Sequence, residues 1–293
     1  MHKNLPYRNA RGEERRSEDN RPAAQRAEGR RTDADGARSS LPRFYCPGDL
    51  SRGATRDLPE DAAHHAGRVL RLQVGEPVVV FNGEGGETEA EISSIGKDHV
   101  AVRVGKWHAR EAEPPIRVAL VQGLSARERM DFTLQKAVEL GVAEIFPIET
   151  RRSVMRLADE RAARRVEHWQ NLVVAACEQC GRNRVPPVRP VASFTQFLGD
   201  HPARPEQQRL ILSLDAHIRL RELPAPHDLL LLAGPEGGFA PEELELARSC
   251  GFTPVRLGPR VLRTETAALA ALAAIHALWG DLCGREKVRK VKR

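Results

Sequence analysis

The sequence predicts an α/β protein in which a small β-barrel precedes a larger domain built on a parallel sheet. The 293 residues suffice for about two domains, and 41% of them are apolar, which is ample for a core. Between residues 43 and 108, short runs separated by Gly and Pro are typical of barrel strands. From Ile116 onward, apolar strands alternate with helical patterns, as they do in sheets with parallel strands.

The two ends of the chain are predicted to lie outside these domains. Residues 1–40 are rich in Arg, Glu, Asp and Ala and have almost no large apolar side chains, so burial cannot offset the entropy of ordering them. We expect a disordered segment whose simplest role is that of a solvated extension. Residues 283–293 form a basic tail.

The first domain is predicted to span residues 41–110. Apolar and polar residues alternate in part along three predicted strands, at residues 77–81, 87–92 and 100–104. A helical segment at 62–72 interrupts this pattern and brings Arg68 and Arg71 close together. Two consecutive prolines make residues 109–115 a plausible linker into the second domain.

The second domain is predicted to span residues 116–282. Its predicted strands cover residues 116–122, 144–148, 210–214, 229–233 and 254–257, and its predicted helices cover residues 129–140, 158–177, 241–250 and 264–279. The last of these helices is apolar on nearly every side. Such a helix must be covered all round, so we expect its own domain on one face and a second subunit on the other.

The net charge of +6 lies mostly in the tails. Residues 1–40 carry a net +3 and residues 281–293 a net +4, whereas residues 41–280 carry a net −1. Any affinity for a polyanion must therefore come from local arginine clusters or from the tails.

Five cysteines are odd in number and sparse, unlike a disulfide framework, and no apolar stretch approaches the ~18 residues of a membrane span. We expect a cytoplasmic protein without a membrane segment.

A glycine-rich turn follows the predicted strand at 229–233. Ligands bind at the carboxyl edge of open parallel sheets, and Gly234, Gly237 and Gly238 would permit positive φ angles and close approach of the backbone to a ligand. The turn lacks the spacing of a dinucleotide site or a phosphate loop. Glu236 would repel a pyrophosphate, so it indicates a cationic or neutral ligand, or an internal partner that holds the loop through backbone amides. A tight connection without any ligand is the alternative.

A second turn runs from residue 257 to 267 and leads into the terminal helix. Thr264 is a good N-cap, and Glu265 and Thr266 occupy the first turn. Cys177 and Cys180 have no second cysteine or histidine pair to complete the four ligands of a zinc site, so no metal is expected.

Three stretches resemble a single family. They are residues 176–186 (ACEQCGRNRVP), 234–238 (GPEGG) and 257–266 (LGPRVLRTET), supported by residues 128–142 and 68–71. They are similar to bacterial small-subunit ribosomal RNA uridine-N3 methyltransferases, which belong to the SPOUT, or trefoil-knotted, methyltransferases. The resemblance covers about residues 41–282.

The resemblance implies a PUA-like RNA-binding barrel followed by a knotted α/β methyltransferase domain that acts as a homodimer. It also implies S-adenosylmethionine as cofactor, wrapped by the two turns; because this molecule carries a sulfonium and an ammonium but no phosphate, Glu236 would not repel it. The predicted cofactor-binding residues are Leu212, Leu232, Gly234, Pro235, Glu236, Gly237, Gly238, Leu257, Gly258, Leu262, Thr264, Thr266 and Ala267.

Methyl transfer to a uridine requires that N3 lose its proton before it attacks. Arg263 is predicted to stabilise the resulting uracil anion, and Glu265 to accept the proton or to orient Arg263. The alternative is an Arg–Glu pair that only caps the terminal helix.

The implied partner is 16S ribosomal RNA or the small ribosomal subunit. Arginine suits phosphate through bidentate contacts, and asparagine can read a base edge. The predicted RNA-binding residues are Arg182, Asn183, Arg184, Arg151, Arg152, Arg68 and Arg71. Only 3 of the 30 cations in residues 41–280 are Lys, so a solvated surface role is the alternative for any single arginine.

Two other functions stay open at this point. One is a knotted methyltransferase that acts on another RNA, and the other is an RNA-binding protein of ribosome assembly that has lost catalysis. Both glycine-bearing turns are intact, which argues against the second, since a protein that only binds RNA gains nothing from a cofactor site.

Overall fold

The computed structural model describes residues 41–97, 99–156 and 159–283. The predicted disordered segment at 1–40 lies outside these residues, as does the predicted basic tail apart from Cys283. The described chain contains a five-stranded and a six-stranded sheet, so the α/β fold class is confirmed. Within the described residues, no helix is both long and apolar enough to cross a bilayer.

The first sheet forms the predicted barrel region, but it curls only into a half-barrel because its two edge strands do not pair with each other. Its strands are β1 (Arg43–Tyr45), β2 (Thr55–Asp57), β3 (Pro77–Phe81), β4 (Glu87–Ile95) and β5 (Val100–His108), and their spatial order is β1-β3-β4-β5-β2. The pair β1–β3 is parallel and the other pairs are antiparallel. Phe44, Val80 and Ile92 are fully buried inside. Because β1 and β2 have only three residues each, no alternation of apolar and polar residues marked them in the sequence.

The helical interruption of the barrel is shorter than the predicted 62–72. It consists of α1 (Glu60–His64) and one π-helical turn, His65–Val69. Arg71 lies beyond it and has a φ of 53°, a left-handed conformation that cannot continue a right-handed helix. Arg68 and Arg71 are both exposed.

The second sheet is parallel throughout. It consists of β6 (Arg117–Gly123), β7 (Glu144–Glu149), β8 (Ala192–Ser193), β9 (Gln207–Leu212), β10 (Asp228–Ala233) and β11 (Thr253–Val255), in the order β11-β9-β10-β6-β7-β8. Residues 229–232 are an unbroken run of leucines because β10 is central and covered on both faces. All strands point the same way, so their carboxyl ends meet at one edge.

Helices cover both faces of this sheet. They are α2 (Arg127–Glu139), α3 (Asp159–Cys180), α4 (Phe194–Asp200), α5 (Pro241–Ser249) and α6 (Thr264–Leu278). One face packs on a core that includes Leu134, Trp169 and Leu272, and the other packs on Phe197 and Phe252. The short elements β8 and α4 follow a proline-rich stretch and were not predicted.

The chain between β11 and α6 returns from the edge of the sheet to its centre. β11 is the edge strand beside β9, whereas α6 packs on α2, β6 and β10. The connection passes the turn at 234–238, because the hydroxyl of Thr264 donates to the carbonyl of Gly234 at 2.5 Å. The resemblance implies a trefoil knot, and this return path is the part of the chain that would form it.

Candidate functional site

A cavity of about 620 Å³ lies at the carboxyl edge of the parallel sheet. Three chain segments enclose it: the end of β9 and the residues after it, the turn after β10, and the return path between β11 and α6. These are the two turns singled out in the sequence together with the end of the neighbouring strand. The parallel topology brings them together, since β9 and β10 are adjacent and end at the same edge.

The turn at 234–238 packs directly on the end of β6. A Cβ placed on Gly123 would lie 2.6 Å from the ring of Pro235, so only glycine permits this approach. The buried amide of Gln122 donates to the carbonyl of Gly234 at 3.4 Å and to the hydroxyl of Thr264 at 3.3 Å. Among the three glycines of the turn, only Gly238 adopts the positive φ that glycine permits, with a φ of 64°.

Glu236 holds the turn through hydrogen bonds within the protein, which is one of the two roles that the sequence left open for it. One carboxylate oxygen accepts the backbone N–H of Ala126 at 2.8 Å and the Arg129 guanidinium at 3.1 Å. The other oxygen is buried and has no hydrogen-bond partner among the described residues. The turn is thereby tied to the start of α2 while one acceptor is left unused beside the cavity.

Most of the predicted cofactor-binding residues line the cavity: Leu212, Gly234, Pro235, Glu236, Gly237, Gly238, Leu257, Gly258, Leu262, Thr264 and Ala267. Two do not. Leu232 is fully buried and belongs to the core cluster on one face of the sheet. Thr266 is exposed on α6 and is not among the lining residues.

Arg263 and Glu265, the two predicted catalytic residues, are separated by the structure. Arg263 lines the cavity, precedes the first turn of α6 and is exposed. Glu265 does not line the cavity, and one of its carboxylate oxygens is buried without a partner among the described residues. The two side chains form no ion pair, so the alternative of a helix-capping Arg–Glu pair is wrong.

Sequence reasoning missed the part of the cavity that follows β9. Ser213, Leu214 and Asp215 line it, but the strand was predicted to continue to residue 214, which hid them. A strand end beside the β10 turn was the signal that could have found them. Other lining residues that were not predicted for this site are Arg129, Phe239, Leu244, Val255, Arg256, Arg260 and Val261.

The wall of the cavity is cationic. Five arginines line it, against the two carboxylates of Asp215 and Glu236; they are Arg129, Arg152, Arg256, Arg260 and Arg263. Three of the guanidiniums have partners: Arg129 pairs with Glu236, Arg152 donates to the carbonyl of Gly237 at 3.1 Å, and Arg256 donates to that of Gly258 at 2.8 Å. An excess of unpaired guanidinium at the mouth suits an anionic ligand.

Arg182 and Asn183 were predicted to contact RNA, and the structure corrects this. Both side chains are buried. Arg182 donates to both oxygens of Glu113 at 2.9 and 2.5 Å and to the carbonyls of Val138 and Val142. With its guanidinium surrounded by acceptors, Arg182 has an architectural role, because arginines that bind RNA must expose their N–H groups.

A buried polar network joins the barrel to the second domain through Asn183. The Arg43 guanidinium donates to Asn183 at 2.5 Å and to Glu87 at 2.6 Å, and the Asn183 amide donates to the carbonyl of Arg110 at 2.7 Å. Burial alone would raise the pKa of the Glu87 carboxyl, but hydrogen bonds and charge from Arg43 and Arg110 outweigh it and hold that pKa below its ordinary value. The network therefore keeps an ionised carboxylate at the junction.

The remaining predicted RNA-binding residues are exposed. Arg152 lines the cavity, and Arg151 pairs with Glu242 on α5 at 3.3 Å. Arg184 lies at the junction beside Glu111. Arg68 and Arg71 lie on the barrel and are not among the residues that line the cavity.

Cys177 and Cys180 are free thiols in the described structure. Burial raises the pKa of the Cys177 thiol to about 12, and its Sγ donates to the carbonyl of Arg184 at 3.7 Å. Metals bind the thiolate form, and a thiol with so high a pKa stays protonated. Cys177 therefore contributes to packing as a neutral thiol. In the described part of the chain, no three His, Cys, Asp or Glu side chains are grouped as metal ligands would be.

Comparison with known proteins gives matches over both domains. A family model described as an RNA methyltransferase domain matches residues 112–276, and one described as an RNA methyltransferase PUA domain matches residues 58–105. Ribosomal RNA small subunit methyltransferase E of Bacillus subtilis is 32% identical over 236 residues, which cover 77% of this chain and 91% of that protein.

Two solved structures are similar over nearly their whole length. Ribosomal RNA small subunit methyltransferase E from Neisseria gonorrhoeae, bound to S-adenosylmethionine, is 40% identical, has a TM-score of 0.77, and covers 83% of this chain and 99% of its own. A methyltransferase from Legionella pneumophila, in complex with the same cofactor, is also 40% identical, with a TM-score of 0.79 and the same coverage.

Proposed function

The chain belongs to the RNA methyltransferase family that includes the ribosomal RNA small subunit methyltransferases E, and we propose that it transfers a methyl group from S-adenosylmethionine to N3 of a uridine in 16S ribosomal RNA. One observation carries the proposal. The turn at 234–238 and the return path from 255 to 267 enclose one cavity at the carboxyl edge of the sheet.

The cavity fits the cofactor in size and chemistry. Its volume of about 620 Å³ lies within the range of small-molecule sites, ~300–1,000 Å³. Leu212, Leu257 and Leu262 offer apolar walls to an adenine ring, and the backbone of the 234–238 turn offers hydrogen-bonding groups. The unpartnered oxygen of Glu236 can accept a hydrogen bond from the cofactor's ammonium or ribose hydroxyl. When bound, the cofactor supplies a methyl group activated on a sulfonium.

Two residues of the chain are assigned to the chemistry at uridine N3. The Arg263 guanidinium stabilises the anion that forms when N3 loses its proton, because it lines the cavity and has no intramolecular partner among the described residues. We propose that the Asp215 carboxylate accepts the proton that N3 loses. It lines the cavity and has no hydrogen-bond partner among the described residues, whereas Glu236 is engaged by Arg129 and Glu265 is not among the lining residues. N3 then forms a bond to the methyl carbon as the carbon–sulfur bond breaks.

The cationic wall supports an RNA substrate. The cofactor is itself cationic, so it gives no reason for five arginines around its cavity. The phosphates that flank a flipped-out uridine do give a reason, because base-modifying enzymes must hold their target nucleotide outside the stack. We assign Arg260 to these phosphates, and Arg151 and Arg152 to the adjoining surface.

Two further features belong to the proposal. We infer a homodimer, because the packed helices α2 and α6 expose the large apolar side chains of Phe132 and Leu278, and Leu282 just beyond α6 is exposed as well. A ribosomal RNA substrate also places the reaction in the cytoplasm, where ribosomes are made.

The test is a methylation assay with the purified chain. S-Adenosylmethionine labelled on its methyl group is incubated with small ribosomal subunits or with free 16S RNA, and digestion followed by mass spectrometry locates the label. We expect N3-methyluridine and a matching stop in primer extension, because an N3-methyl group blocks base pairing. Label in transfer RNA alone would overturn the substrate, and absent cofactor binding in calorimetry would overturn the activity in favour of an RNA-binding protein.

A further inference from the structure

Trp107 stands out on the surface of the barrel. It lies near the end of β5 and is 58% exposed. A Cβ placed on Gly86 would lie 2.4 Å from the indole Nε1 and 2.5 Å from its Cε2, so the ring occupies the space above this glycine. Gly86 also has a φ of 71°. The indole is thus packed against backbone on one side while much of the ring faces solvent.

The side chain of Arg184 packs against Gly85, the glycine that precedes Gly86. A Cβ placed on Gly85 would lie 2.7 Å from its guanidinium Nη2, and the side chain is 57% exposed. Glu111 lies 3.6 Å from the Arg184 guanidinium and also accepts the backbone N–H of Gly86 at 2.8 Å. An exposed indole from the barrel and an exposed guanidinium from the second domain therefore flank one pair of glycines.

The backbone that carries each of the two residues is held by pairing: Trp107 on β5 lies opposite Thr88 of β4. Arg184 directly follows Asn183, whose side chain is buried and bound to Arg43 and to the carbonyl of Arg110. The backbone N–H of Val185 donates to the carbonyl of Gly83 at 3.2 Å. A surface that is already ordered loses little conformational entropy when it binds a ligand.

This surface is remote from the cavity of the same chain. Arg184 leads into Val188, which pairs with Ile145 at the start of β7, whereas the cavity follows the carboxyl ends of β9 and β10. The two places lie at opposite edges of the sheet, and a strand of seven residues such as β6 spans roughly 20 Å. Trp107 and Arg184 are therefore not part of the candidate cofactor site.

We propose that Trp107 and Arg184 form a platform on which an unpaired base of the substrate RNA stacks, with the guanidinium of Arg184 on an adjacent phosphate. The inference rests on the proposed function and extends it to a second RNA contact. Proteins recognise unpaired RNA by stacking its bases on aromatic rings beside arginines. Arg110, half exposed and close by in sequence, adds a second cation. A lone ring set among charged side chains is unlike the apolar centre of a subunit interface.

The first experiment measures RNA binding by variants of the full chain. The probe is in vitro transcribed 16S RNA, and cofactor affinity is measured in parallel. We expect Trp107→Ala to weaken RNA binding about tenfold, Trp107→Phe to restore most of it, and neither to change cofactor affinity. Arg184→Gln should weaken binding and flatten its salt dependence. Arg103→Gln, a matched change of an exposed arginine on β5, should leave binding unchanged.

The second experiment uses the indole as its own reporter. The chain has three tryptophans; Trp169 is fully buried and Trp279 partly so, so RNA that stacks on Trp107 should quench fluorescence in the wild type and not in Trp107→Phe. Equal quenching in both proteins, or unchanged RNA affinity in Trp107→Ala, would overturn the platform.

The outcomes separate this inference from the proposed function. Wild-type methylation together with a Trp107→Ala variant that binds RNA normally overturns the platform alone. A wild-type protein that neither binds the cofactor nor methylates overturns the proposed function. Loss of the dimer in Trp107→Ala, seen by light scattering, would assign the surface to a second copy of the chain and overturn the RNA platform.

Discussion

Arginine has several distinct roles in this chain, and the groups around each guanidinium decide which one applies. Arg182 is buried among carbonyls and Glu113. Arg129 fixes the turn at 234–238 through Glu236. Arg263 lines the cavity without an intramolecular partner among the described residues. Sequence motifs could not separate these roles, because the three residues differ in neighbours contributed by distant parts of the chain.

Replacing Arg182 tests its architectural role. Arg182→Ala should lower the free energy of unfolding by about 3–5 kcal/mol, because it leaves Glu113 and two backbone carbonyls without their buried partner. Urea denaturation measures the change. Arg184→Ala is the control, since Arg184 is exposed and should alter stability little. Full stability of Arg182→Ala with weakened RNA binding would instead support a direct RNA contact.

Replacing Arg263 tests its assignment to the uracil anion. Arg263→Ala should lower kcat by about 100-fold, the usual loss when one group that stabilises developing negative charge is removed. Cofactor affinity in calorimetry should stay unchanged, because the guanidinium acts on the nucleobase. A variant that loses cofactor affinity and retains kcat at saturation would place Arg263 in the cofactor site only.

The two carboxylates near the cavity can be compared directly. Asp215→Asn should lower kcat and Glu265→Gln should leave it nearly unchanged, because only Asp215 lines the cavity. Single-turnover methylation as a function of pH is the measurement, and cofactor affinity is checked for both variants. A large loss in Glu265→Gln with normal activity in Asp215→Asn would return the proton to Glu265.

At the scale of elements, the site depends on how closely a turn and its neighbours can approach. Gly123 lets the turn after β10 touch the end of β6, and Thr264 ties the start of α6 to the same turn. The cavity is therefore a property of three connected ends: β6, β10 and α6. A substitution that displaces any one of these three ends should therefore shift the other two, because the groups are closely packed.

Gly237 tests this dependence. A side chain there would meet Arg152, whose Cβ would lie 2.9 Å and whose carbonyl 3.2 Å from the new Cβ, so Gly237→Val must displace the turn or the loop that carries Arg152. We expect cofactor affinity to fall at least about tenfold, while the barrel and the sheet stay folded in circular dichroism. Normal affinity would show that the turn does not contact the cofactor.

The end of α6 gives a pH-dependent prediction. His276 is buried with both ring nitrogens unpartnered among the described residues, and burial lowers its pKa below the ordinary value. The unfolded chain then binds a proton that the folded chain does not, so stability should fall as pH decreases through ~6.5. Urea denaturation between about pH 7.5 and about pH 5.5 measures this, and His276→Leu should lose less stability over that window.

Across the whole molecule, the cavity and the contact between the two domains lie at opposite edges of the parallel sheet. The buried network of Arg43, Glu87 and Asn183 fixes the barrel to the second domain. The cavity lies at the carboxyl edge of the sheet, and the junction with the barrel lies at the amino edge. A ligand that contacts both places on one chain must span roughly 20 Å, the length of a strand of this sheet, which an RNA can do.

The proposed dimer is tested at this scale. Leu282→Asp should convert the protein to monomers in light scattering, because Leu282 is 53% exposed beside the end of α6 and a charge would be costly to bury there. Val74→Asp, which places the same charge at an exposed apolar position on the barrel, should leave the dimer intact. A dimer that survives Leu282→Asp would locate the subunit contact elsewhere.

The fold class, the order of the two domains and about half of the residues that line the cavity could be predicted from the amino-acid sequence. Periodicity marked nearly every long strand and helix because each buries one face or both. The glycine-bearing turns could be found because they are local features that follow an apolar strand. The short strands β1, β2 and β8 were missed, since two or three residues carry no period.

The roles of the polar residues around these turns depend on the folded arrangement and could not be predicted from local sequence. Asp215 entered the cavity and Glu265 did not, and Arg182 and Asn183 were buried at the domain junction and not exposed to RNA. The physical reason is that burial and charge pairing depend on which distant segments pack together. Local sequence patterns do not show that α6 returns to the centre of the sheet. They also do not show that the barrel contacts residues 182–185.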